Sequence, residues 1–284
     1  MLLTTLLRET LTSAQFDRIP EPDLIMDSEE AVSAFARAGR AGGILSGVYT
    51  FYVEQACGMI RPGDRVLDLG CGSALLLASV AALNADASFV GVDLSSAMIA
   101  TGNESLRHSP ARNVALRVDD MTELSSVESG SVDVVLSSMA LHHLPDAVHL
   151  RRCFEAVERV LAPEGGVFIT DFGRLKSLKS VEYFVRRAIP PDEPRLEDDY
   201  RASLRAAFSR EEFGGALPAR LKRRVAVYST VVSPMMVVLM TPFPESPRGR
   251  PENPRQLYKG LPRERRADYQ QLRLSLRLGG MPCK

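Results

Sequence analysis

The sequence lacks an excess of charge of either sign. Lysine plus arginine and aspartate plus glutamate number 35 each, so the formal net charge is zero. A chain without net charge has no overall attraction for nucleic acid or for anionic lipid. We therefore do not expect nucleic acid or a membrane as a partner, and no pattern in the sequence indicates an oligomeric state.

Cysteine pairs and long apolar runs are also lacking. No Cys-x-x-Cys or histidine-interleaved spacing joins the four cysteines, which are Cys57, Cys71, Cys153 and Cys283. The sequence therefore predicts neither a disulfide framework nor a metal site, and we expect a reducing, cytoplasmic location. The apolar opening Met1–Leu7 is shorter than a secretory or membrane-spanning segment, and we interpret it as the start of an amphipathic helix.

A length of 284 residues with 45% hydrophobic side chains is enough to bury one large core with appended segments. The pattern along the chain predicts an N-terminal helical lid at 1–62 and a ligand-binding core at 63–173. A helical cap insert at 174–217 and a terminal hairpin of the core at 218–244 follow. The basic, proline-rich tail at 245–284 is predicted to be flexible, with an edge strand or a partner contact as the alternative.

Within the core, short β-branched runs alternate with helical stretches, which is typical of βαβ units and a parallel sheet. The predicted strands are Arg65–Leu69, Ser88–Asp93, Val114–Asp119, Val132–Ser138 and Gly166–Phe172. The predicted helices are Ser73–Leu83, Ser95–Arg107 and Asp146–Leu161. Two later runs, Val225–Val232 and Met235–Met240, are separated by Ser233-Pro234, so they are predicted to pair as antiparallel neighbours.

A glycine turn follows the first predicted strand. The run VLDLGCGSA at 66–74 places an acid near the strand end and two glycines before the next helix. Glycine allows a ligand to approach the backbone where any side chain would intrude. Leu75 occupies the third glycine position of a Gly-x-Gly-x-x-Gly pattern. A dinucleotide-binding interpretation therefore loses its main support.

Acids end the first three predicted strands, namely Asp68, Asp93 and the pair Asp119-Asp120. The carboxyl ends of parallel strands meet at the edge of the sheet where ligands bind. Asp93 could accept hydrogen bonds from both hydroxyls of a ribose, and the alternative is that it caps the following helix. Because the three acids coincide at one edge, a shared ligand site is favoured over three separate caps.

Five ordered segments together resemble the class I S-adenosylmethionine-dependent methyltransferases. They are VLDLGCGSA, VGVDLSSAMI, VDDMTEL, VDVVLSSMALHHL and VLAPEGGVFITDF. The likeness covers about residues 60 to 241. It implies a Rossmann-like, doubly wound seven-stranded α/β sheet, S-adenosyl-L-methionine as cofactor and S-adenosyl-L-homocysteine as product. The family often carries a third glycine where this chain has Ala74.

The resemblance assigns the methionine end of the cofactor by position. It implies that the turn formed by Gly70, Cys71 and Gly72 lies against the methionine part, with Asp68 beneath it. Ser137 and Met139, after the fourth strand, would close the pocket near the sulfonium.

The nucleoside end is assigned in the same way. Asp93 resembles the ribose-diol ligand, and Leu94 and Met98 would line the adenine side. Asp120 would accept a hydrogen bond from the adenine amino group, with the Met121 backbone beside the ring.

Two adjacent histidines, His142 and His143, follow the fourth strand at the ligand edge. An imidazole with a pKa near 6.5 suits general-base work on a hydroxyl, amine or thiol. Asp171, at the end of the fifth strand, could orient a histidine or take the proton itself. In small-molecule O-methyltransferases of the family, groups resembling these serve as bases, and the alternative is that a histidine only packs beside the cofactor.

Aromatic residues in the lid and the cap are candidates for contact with an acceptor. We select Tyr49 and Tyr52 from the N-terminal segment and Tyr183 from the insert. Aromatic side chains at helical spacing are more often core residues, which is the alternative for each of them. A methyl-transfer site needs such a lid, because a sulfonium methyl is already activated and the protein mainly aligns the reactants and excludes water.

The leading hypothesis is a methyltransferase that acts on an O, N, S or C nucleophile of a small molecule. Enzymes that methylate exocyclic amines of nucleic-acid bases or glutamine usually carry an Asn/Asp-Pro-Pro-aromatic sequence after the fourth strand. This chain has Ser137-Ser138-Met139-Ala140 there instead, which favours a different acceptor. One alternative is attack on another sulfonium carbon, giving cyclisation or aminocarboxypropyl transfer. Another is a macromolecule-binding methyltransferase that uses the basic tail. No motif identifies the acceptor.

Overall fold

The computed structural model describes residues 2–13, 15–22, 43–190, 192–244 and 255–283. Its strands are β1 (Arg65–Leu69), β2 (Ser88–Asp93), β3 (Val114–Val118), β4 (Val132–Ser138), β5 (Leu161–Phe172), β6 (Ala226–Ser229) and β7 (Met236–Met240). They form one sheet in the order β3-β2-β1-β4-β5-β7-β6. The first five strands are parallel, and β7 pairs antiparallel with both β5 and β6. The predicted seven-stranded, doubly wound architecture is confirmed.

The described helices surround this sheet. They are α1 (Leu2–Leu11), α2 (Ser46–Met59), α3 (Leu75–Ala82), α4 (Ser96–Arg107), α5 (Ala147–Val160), α6 (Leu178–Ala188), α7 (Pro194–Ala206), α8 (Arg210–Ala216), α9 (Ala219–Lys222), α10 (Arg255–Gly260) and α11 (Arg263–Leu278). Residues 23–42 of the predicted lid and 245–254 of the predicted tail lie outside the described residues. None of the helices in the described ranges has the length and apolarity needed to cross a bilayer.

Apolar side chains alternate between the two faces of the sheet. Val66 and Phe168 belong to a buried cluster that includes residues of α2 and α3. Their neighbours Leu67 and Ile169 belong to a second cluster, which includes residues of α5. This period-two alternation within continuous apolar runs is expected for parallel strands buried on both faces.

The start of β5 differs from the prediction. The strand begins at Leu161, which pairs with Val132, and a register shift separates this pair from Val134 and Gly166. The predicted start at Gly166 is therefore wrong. Pairing with β4 already begins at Leu161, is interrupted at the Pro-Glu-Gly-Gly segment, and continues from Gly166.

The tail also differs from the prediction. Residues 255–283 form helices rather than an edge strand, and α11 packs against α2 and buries Tyr269 and Leu276. A Cβ on Gly47 in α2 would lie 2.7 Å from the Arg265 carbonyl oxygen, which shows how closely the two helices cross. The basic composition of the tail concealed an amphipathic helix that buries Tyr269 and Leu276, while Leu274 and Leu278 are exposed.

Candidate active site

The carboxyl edge of the parallel strands opens into a cavity of about 850 Å³. The strand order reverses between β1 and β4, because β2 and β3 lie on one side of β1 and the later strands lie on the other. In open α/β sheets, ligands bind outside the carboxyl ends at this switch point. A volume of this size is within the range of small-molecule sites. The cavity is therefore the candidate active site.

The glycine turn after β1 forms part of the cavity wall. Gly70 has a φ of +63°, and a Cβ built on it would lie only 2.4 Å from the Cβ of Ala140. Gly72 also has a positive φ, of +51°, as does Ala74, of +57°. Glycine at position 70 is thus required both by the backbone conformation and by the close approach of the loop after β4. Ala74, at the position of the family's third glycine, occupies a left-handed conformation that disfavours side chains.

Asp93, at the end of β2, holds the glycine turn in place. Its Oδ2 accepts a hydrogen bond from the Gly72 amide at 2.8 Å, and its Oδ1 accepts from the Ser95 amide at 2.9 Å. The side-chain cap of α4 is Ser95, whose hydroxyl accepts from the Met98 amide at 3.0 Å. The cap that was the alternative role for Asp93 is therefore supplied by another residue, and the Asp93 carboxylate lines the cavity.

Asp68 lies beneath the turn and is 6% exposed. Burial raises the pKa of its carboxyl to about 7, and the negative charge of Asp93 is the second cause. The two carboxylates are therefore close enough to repel each other. A cationic ligand group near them would be stabilised.

The two acids after β3 have different environments. The Asp119 carboxylate accepts hydrogen bonds from the amides of Ser125 and Ser126 and from the Ser126 hydroxyl, so it shapes the loop. Asp120 accepts from the Thr122 amide at 2.7 Å. Both acids line the cavity, together with Met121.

Most of the other predicted cofactor residues also line the cavity, namely Cys71, Leu94, Met98 and Met139. Ser137 does not. It is fully buried, and its hydroxyl donates to the Leu69 carbonyl oxygen at 2.8 Å, which joins β4 to β1. The next residue, Ser138, lines the cavity instead, because successive side chains of a strand point to opposite faces.

His142 and Asp171 form a buried pair at the ends of β4 and β5. His142 Nδ1 lies 2.7 Å from Asp171 Oδ1, and their side chains are 2% and 0% exposed. Asp171 Oδ2 also accepts from the amides of Leu141 and His142, and Oδ1 accepts from the Phe172 amide at 2.6 Å. With four hydrogen bonds and no exposed surface, Asp171 is placed to orient His142 rather than to take a proton from a ligand.

Glu21, which the sequence analysis missed, completes this cluster from the N-terminal segment. Its Oε2 lies 2.5 Å from His143 Nδ1, and its Oε1 lies 3.8 Å from His142 Nε2. Burial acts to raise the pKa of Glu21, but its hydrogen bond to His143 and the nearby imidazole charges lower it to about 2. Burial likewise acts to lower the pKa of His143, and the hydrogen bond and charge of Glu21 raise it above its ordinary value.

Arg18 ties the N-terminal segment to the loop after β4. Its guanidinium donates to the carbonyl oxygens of His142, Leu144, Pro145 and Ala206. It also stacks on the Phe208 ring, with 4.0 Å from Cζ to the ring centroid. Glu21 follows Arg18 closely in the chain, so these bonds help to place its carboxylate. An acid between two prolines in an otherwise irregular segment gives no local signal of this role.

The predicted acceptor-contact residues fall into three environments. Tyr49 lines the cavity. Tyr52 does not, since it is 2% exposed and its ring lies 5.2 Å from that of Phe168 in the core. Tyr183 is also absent from the wall, and its neighbour Phe184 lines the cavity together with Tyr200. Helix α6 therefore presents the adjacent residue to the cavity.

Comparison with known proteins places this architecture in a family. The sequence-family model described as a methyltransferase domain matches residues 60–202, which are half of the chain. The ubiquinone biosynthesis O-methyltransferase of Acinetobacter baumannii is 29% identical over 159 residues, which are 54% of this chain and 62% of that enzyme. An arsenite methyltransferase of Halobacterium salinarum is 32% identical over 118 residues, 41% of this chain and 29% of that enzyme. The chain thus spans less than two thirds of these relatives.

A solved S-adenosylmethionine-dependent methyltransferase from Aquifex aeolicus has a similar fold. It aligns with a TM-score of 0.54 and 16% identity, covering 76% of this chain and all of that one. S-adenosylmethionine is the cofactor of this family, and the glycine turn, with its left-handed backbone and adjoining carboxylates, is suited to a nucleoside that carries a cationic amino-acid chain. The chain belongs to the class I S-adenosylmethionine-dependent methyltransferase family.

Proposed function

We propose that the protein transfers the methyl group of S-adenosylmethionine to a nucleophile of a small molecule. One observation carries the proposal. A single cavity is lined both by the glycine turn with Asp93 and by the histidine cluster His142 and His143. A methyl donor held at the first group and an acceptor held at the second would share this cavity. The similarity to relatives named for ubiquinone biosynthesis and for arsenite supports an acceptor of small size.

On this proposal, the nucleoside lies between β2 and β3. The Asp93 carboxylate accepts from the ribose hydroxyls at the cavity wall, where it also accepts from the amides of Gly72 and Ser95. Leu94 and Met98 flank the adenine, and Asp120 accepts from its amino group. Charge-assisted hydrogen bonds to Asp93 contribute about 1.5–3 kcal/mol each.

The methionine part of the cofactor extends toward the end of β1. Gly70, Cys71 and Gly72 allow the backbone to approach it, and the neighbouring carboxylates of Asp68 and Asp93 stabilise its positive charge. Met139, with a φ of +53°, also lines the cavity, and it precedes the histidines in the loop after β4. In this arrangement we infer that the sulfonium methyl points toward the acceptor.

The acceptor side combines apolar walls with a proton-accepting cluster. Phe172, Phe184 and Tyr200 line it, and so does Tyr49 from α2. Asp171 fixes His142 through Nδ1, which leaves Nε2 as the nitrogen able to take a proton from the acceptor. The acceptor lone pair attacks the methyl carbon, and the carbon–sulfur bond breaks with its electron pair on sulfur. Alignment of the reactants lowers such barriers by about 7–11 kcal/mol in favourable cases.

Two measurements test the proposal. Calorimetric titration with S-adenosylhomocysteine should show one saturable site, and acceptor screening with a methyl-release assay should yield S-adenosylhomocysteine as product. Methylthioadenosine as product would instead support attack on another sulfonium carbon, the alternative that the fold also permits. A folded protein without saturable heat would contradict the proposal.

A further inference from the structure

Two histidines that line the cavity lie close to one carboxylate of the N-terminal segment. Glu21, His142 and His143 each offer a ligand atom, and these atoms lie within 4.8 Å of one another. We propose that these three side chains bind one divalent transition-metal ion at the acceptor end of the cavity. The site goes beyond the proposed methyl transfer, and metal binding itself does not depend on it.

The donor set matches known metal chemistry. Two imidazoles with one carboxylate form three-ligand catalytic zinc sites and the facial sites of non-haem iron, both of which leave coordination positions open. Two atoms bonded to such an ion at about 2.1 Å are roughly 3.0–3.4 Å apart. The distances from Glu21 to His142 Nε2 and His143 Nδ1, 3.8 and 2.5 Å, bracket this spacing. Small side-chain rotations would therefore make room for an ion between them.

Two residues outside the donor set hold the ligands. Asp171 Oδ1 lies 2.7 Å from His142 Nδ1, which fixes the ring and turns Nε2 toward Glu21. The Ser203 hydroxyl donates to Glu21 Oε1 at 2.8 Å. Metal-binding histidines usually donate their second nitrogen to a carboxylate, and metal-binding carboxylates are usually hydrogen-bonded as well. Both partners are present here.

The surrounding charges favour a cation. Glu21, Asp171 and Asp199 lie near the cluster. Asp199 is paired with Arg195 at 3.4 Å, and the Arg18 guanidinium acts on both Glu21 and Asp171. Arg18 directs its hydrogen bonds to four backbone carbonyl oxygens. A divalent ion would therefore offset the remaining acidic charge, and His142, His143 and Asp199 also line the cavity that gives it access to solvent and ligands.

Bound metal would change how an acceptor is activated, and this consequence does rest on the proposed function. An ion occupies the imidazole lone pairs, so they cannot accept a proton at the same time. A hydroxyl or thiol bound to the ion ionises more readily and releases its proton to cavity water. Its lone pair then attacks the methyl carbon, and the carbon–sulfur electron pair leaves on sulfur.

The test uses the full chain, freed of metal with a chelator and titrated with Co²⁺. We expect one equivalent to bind with a visible absorption spectrum, and elemental analysis to find the same ratio after Zn²⁺ loading. Glu21→Gln and His142→Gln should each weaken binding at least ten-fold, and Ser203→Ala should weaken it less. His108→Gln is the matched control, because His108 is an exposed histidine paired with an exposed glutamate.

Three results would overturn the proposal: no saturable binding, unchanged affinity in Glu21→Gln, or a thiolate charge-transfer band that places the ion at cysteine. Circular dichroism and thermal unfolding confirm that each variant is folded. If Glu21→Gln does not fold, the comparison of Ser203→Ala with His108→Gln decides, and equal affinities would count against the site. Titration of the metal-free protein with S-adenosylhomocysteine is independent, so the failure of either proposal can be recognised separately.

Discussion

At the scale of single residues, hydrogen-bond partners distinguish side chains that hold the fold from side chains that face the cavity. Ser137 and Ser138 are adjacent, yet the hydroxyl of Ser137 joins two strands while Ser138 lines the cavity. Asp119 and Asp120 differ in the same way, because Asp119 has four bonds to its own loop. A motif assigns a role to a short segment, and only the bonds assign it to a residue.

The Asp93 carboxylate should contribute directly to cofactor affinity. We expect Asp93→Ala to weaken S-adenosylhomocysteine binding ten-fold or more, about 1.4 kcal/mol, measured by calorimetry. Asp133→Asn is the control, because this acid lies near the start of β4, at the end of the sheet away from the cavity, and pairs with Arg65. Equal affinities for the two variants would argue against the ribose assignment.

The histidine cluster should affect turnover more than cofactor binding. We expect His142→Ala and Asp171→Asn each to lower kcat by about 10²-fold or more. His143→Ala and the triple variant test the rest of the cluster. Affinity for S-adenosylhomocysteine should change less than about ten-fold, or 1.4 kcal/mol. Wild-type turnover in all four variants would reduce the cluster to a packing role, and His108→Ala provides the comparison.

The Glu21–His143 pair should stabilise the fold over a limited pH window. The pKa of Glu21 falls from 4.5 to about 2, so its contribution is complete above pH 4.5 and is lost as the pH falls toward 2. The pKa of His143 is raised above 6.5, so its contribution is complete below pH 6.5 and is lost as the pH rises through the raised value.

Thermal unfolding of the wild type and of Glu21→Gln, compared across the acid and neutral range in metal-free buffer, checks this window. We expect the largest difference in Tm between pH 4.5 and 6.5, where both groups are charged. A difference that does not vary with pH would show that the pair acts by packing alone.

At the scale of elements, the crossing of α2 and α11 determines one wall of the cavity. Helix α11 contributes Arg265, Asp268 and Leu272 to the lining, and α2 contributes Val48 and Tyr49. Deletion of residues 245–284 would thus remove part of the candidate site as well as a basic segment. Substitutions at the crossing or on the exposed face of α11 separate these two effects.

The crossing should tolerate no side chain at Gly47. Because a Cβ there would lie 2.7 Å from the Arg265 carbonyl oxygen, we expect Gly47→Ala to lower the free energy of unfolding by about 1–3 kcal/mol in urea titrations. Gly215→Ala in α8 is the matched control, since a Cβ there has no neighbour within 4 Å, and it should be neutral or stabilising. Equal destabilisation of both variants would contradict a close helix crossing.

At the scale of the whole molecule, balanced charge argues against a polyanionic partner. Arg263 and Arg277 are exposed on α11. We expect the double variant Arg263→Glu/Arg277→Glu to retain wild-type turnover of a small acceptor, and the wild type to show no retention on RNA at low salt, where such binding is strongest. Salt-sensitive RNA retention that the double variant abolishes would support the macromolecule-binding alternative.

The sequence by itself determined the sheet and its ligand edge. Strand limits for β1, β2 and β4 were predicted to the residue, and the acids at or just after the ends of β1, β2 and β3 were predicted to meet. These features depend on local signals, namely β-branched runs, glycine turns and acids at strand ends. Such signals can be recognised in a single sequence because each depends only on residues that are neighbours in the chain.

Only the tertiary structure decided the composition of the acceptor end. Ser203 and α11 line the cavity, and Glu21 contacts its histidine His143, from segments far apart in the chain that no local pattern marks. Residues on adjacent positions of α6, Tyr183 and Phe184, were distinguished only by the way the helix packs. Side-chain contacts between distant segments depend on packing of the whole molecule, and periodicity along the chain does not encode them.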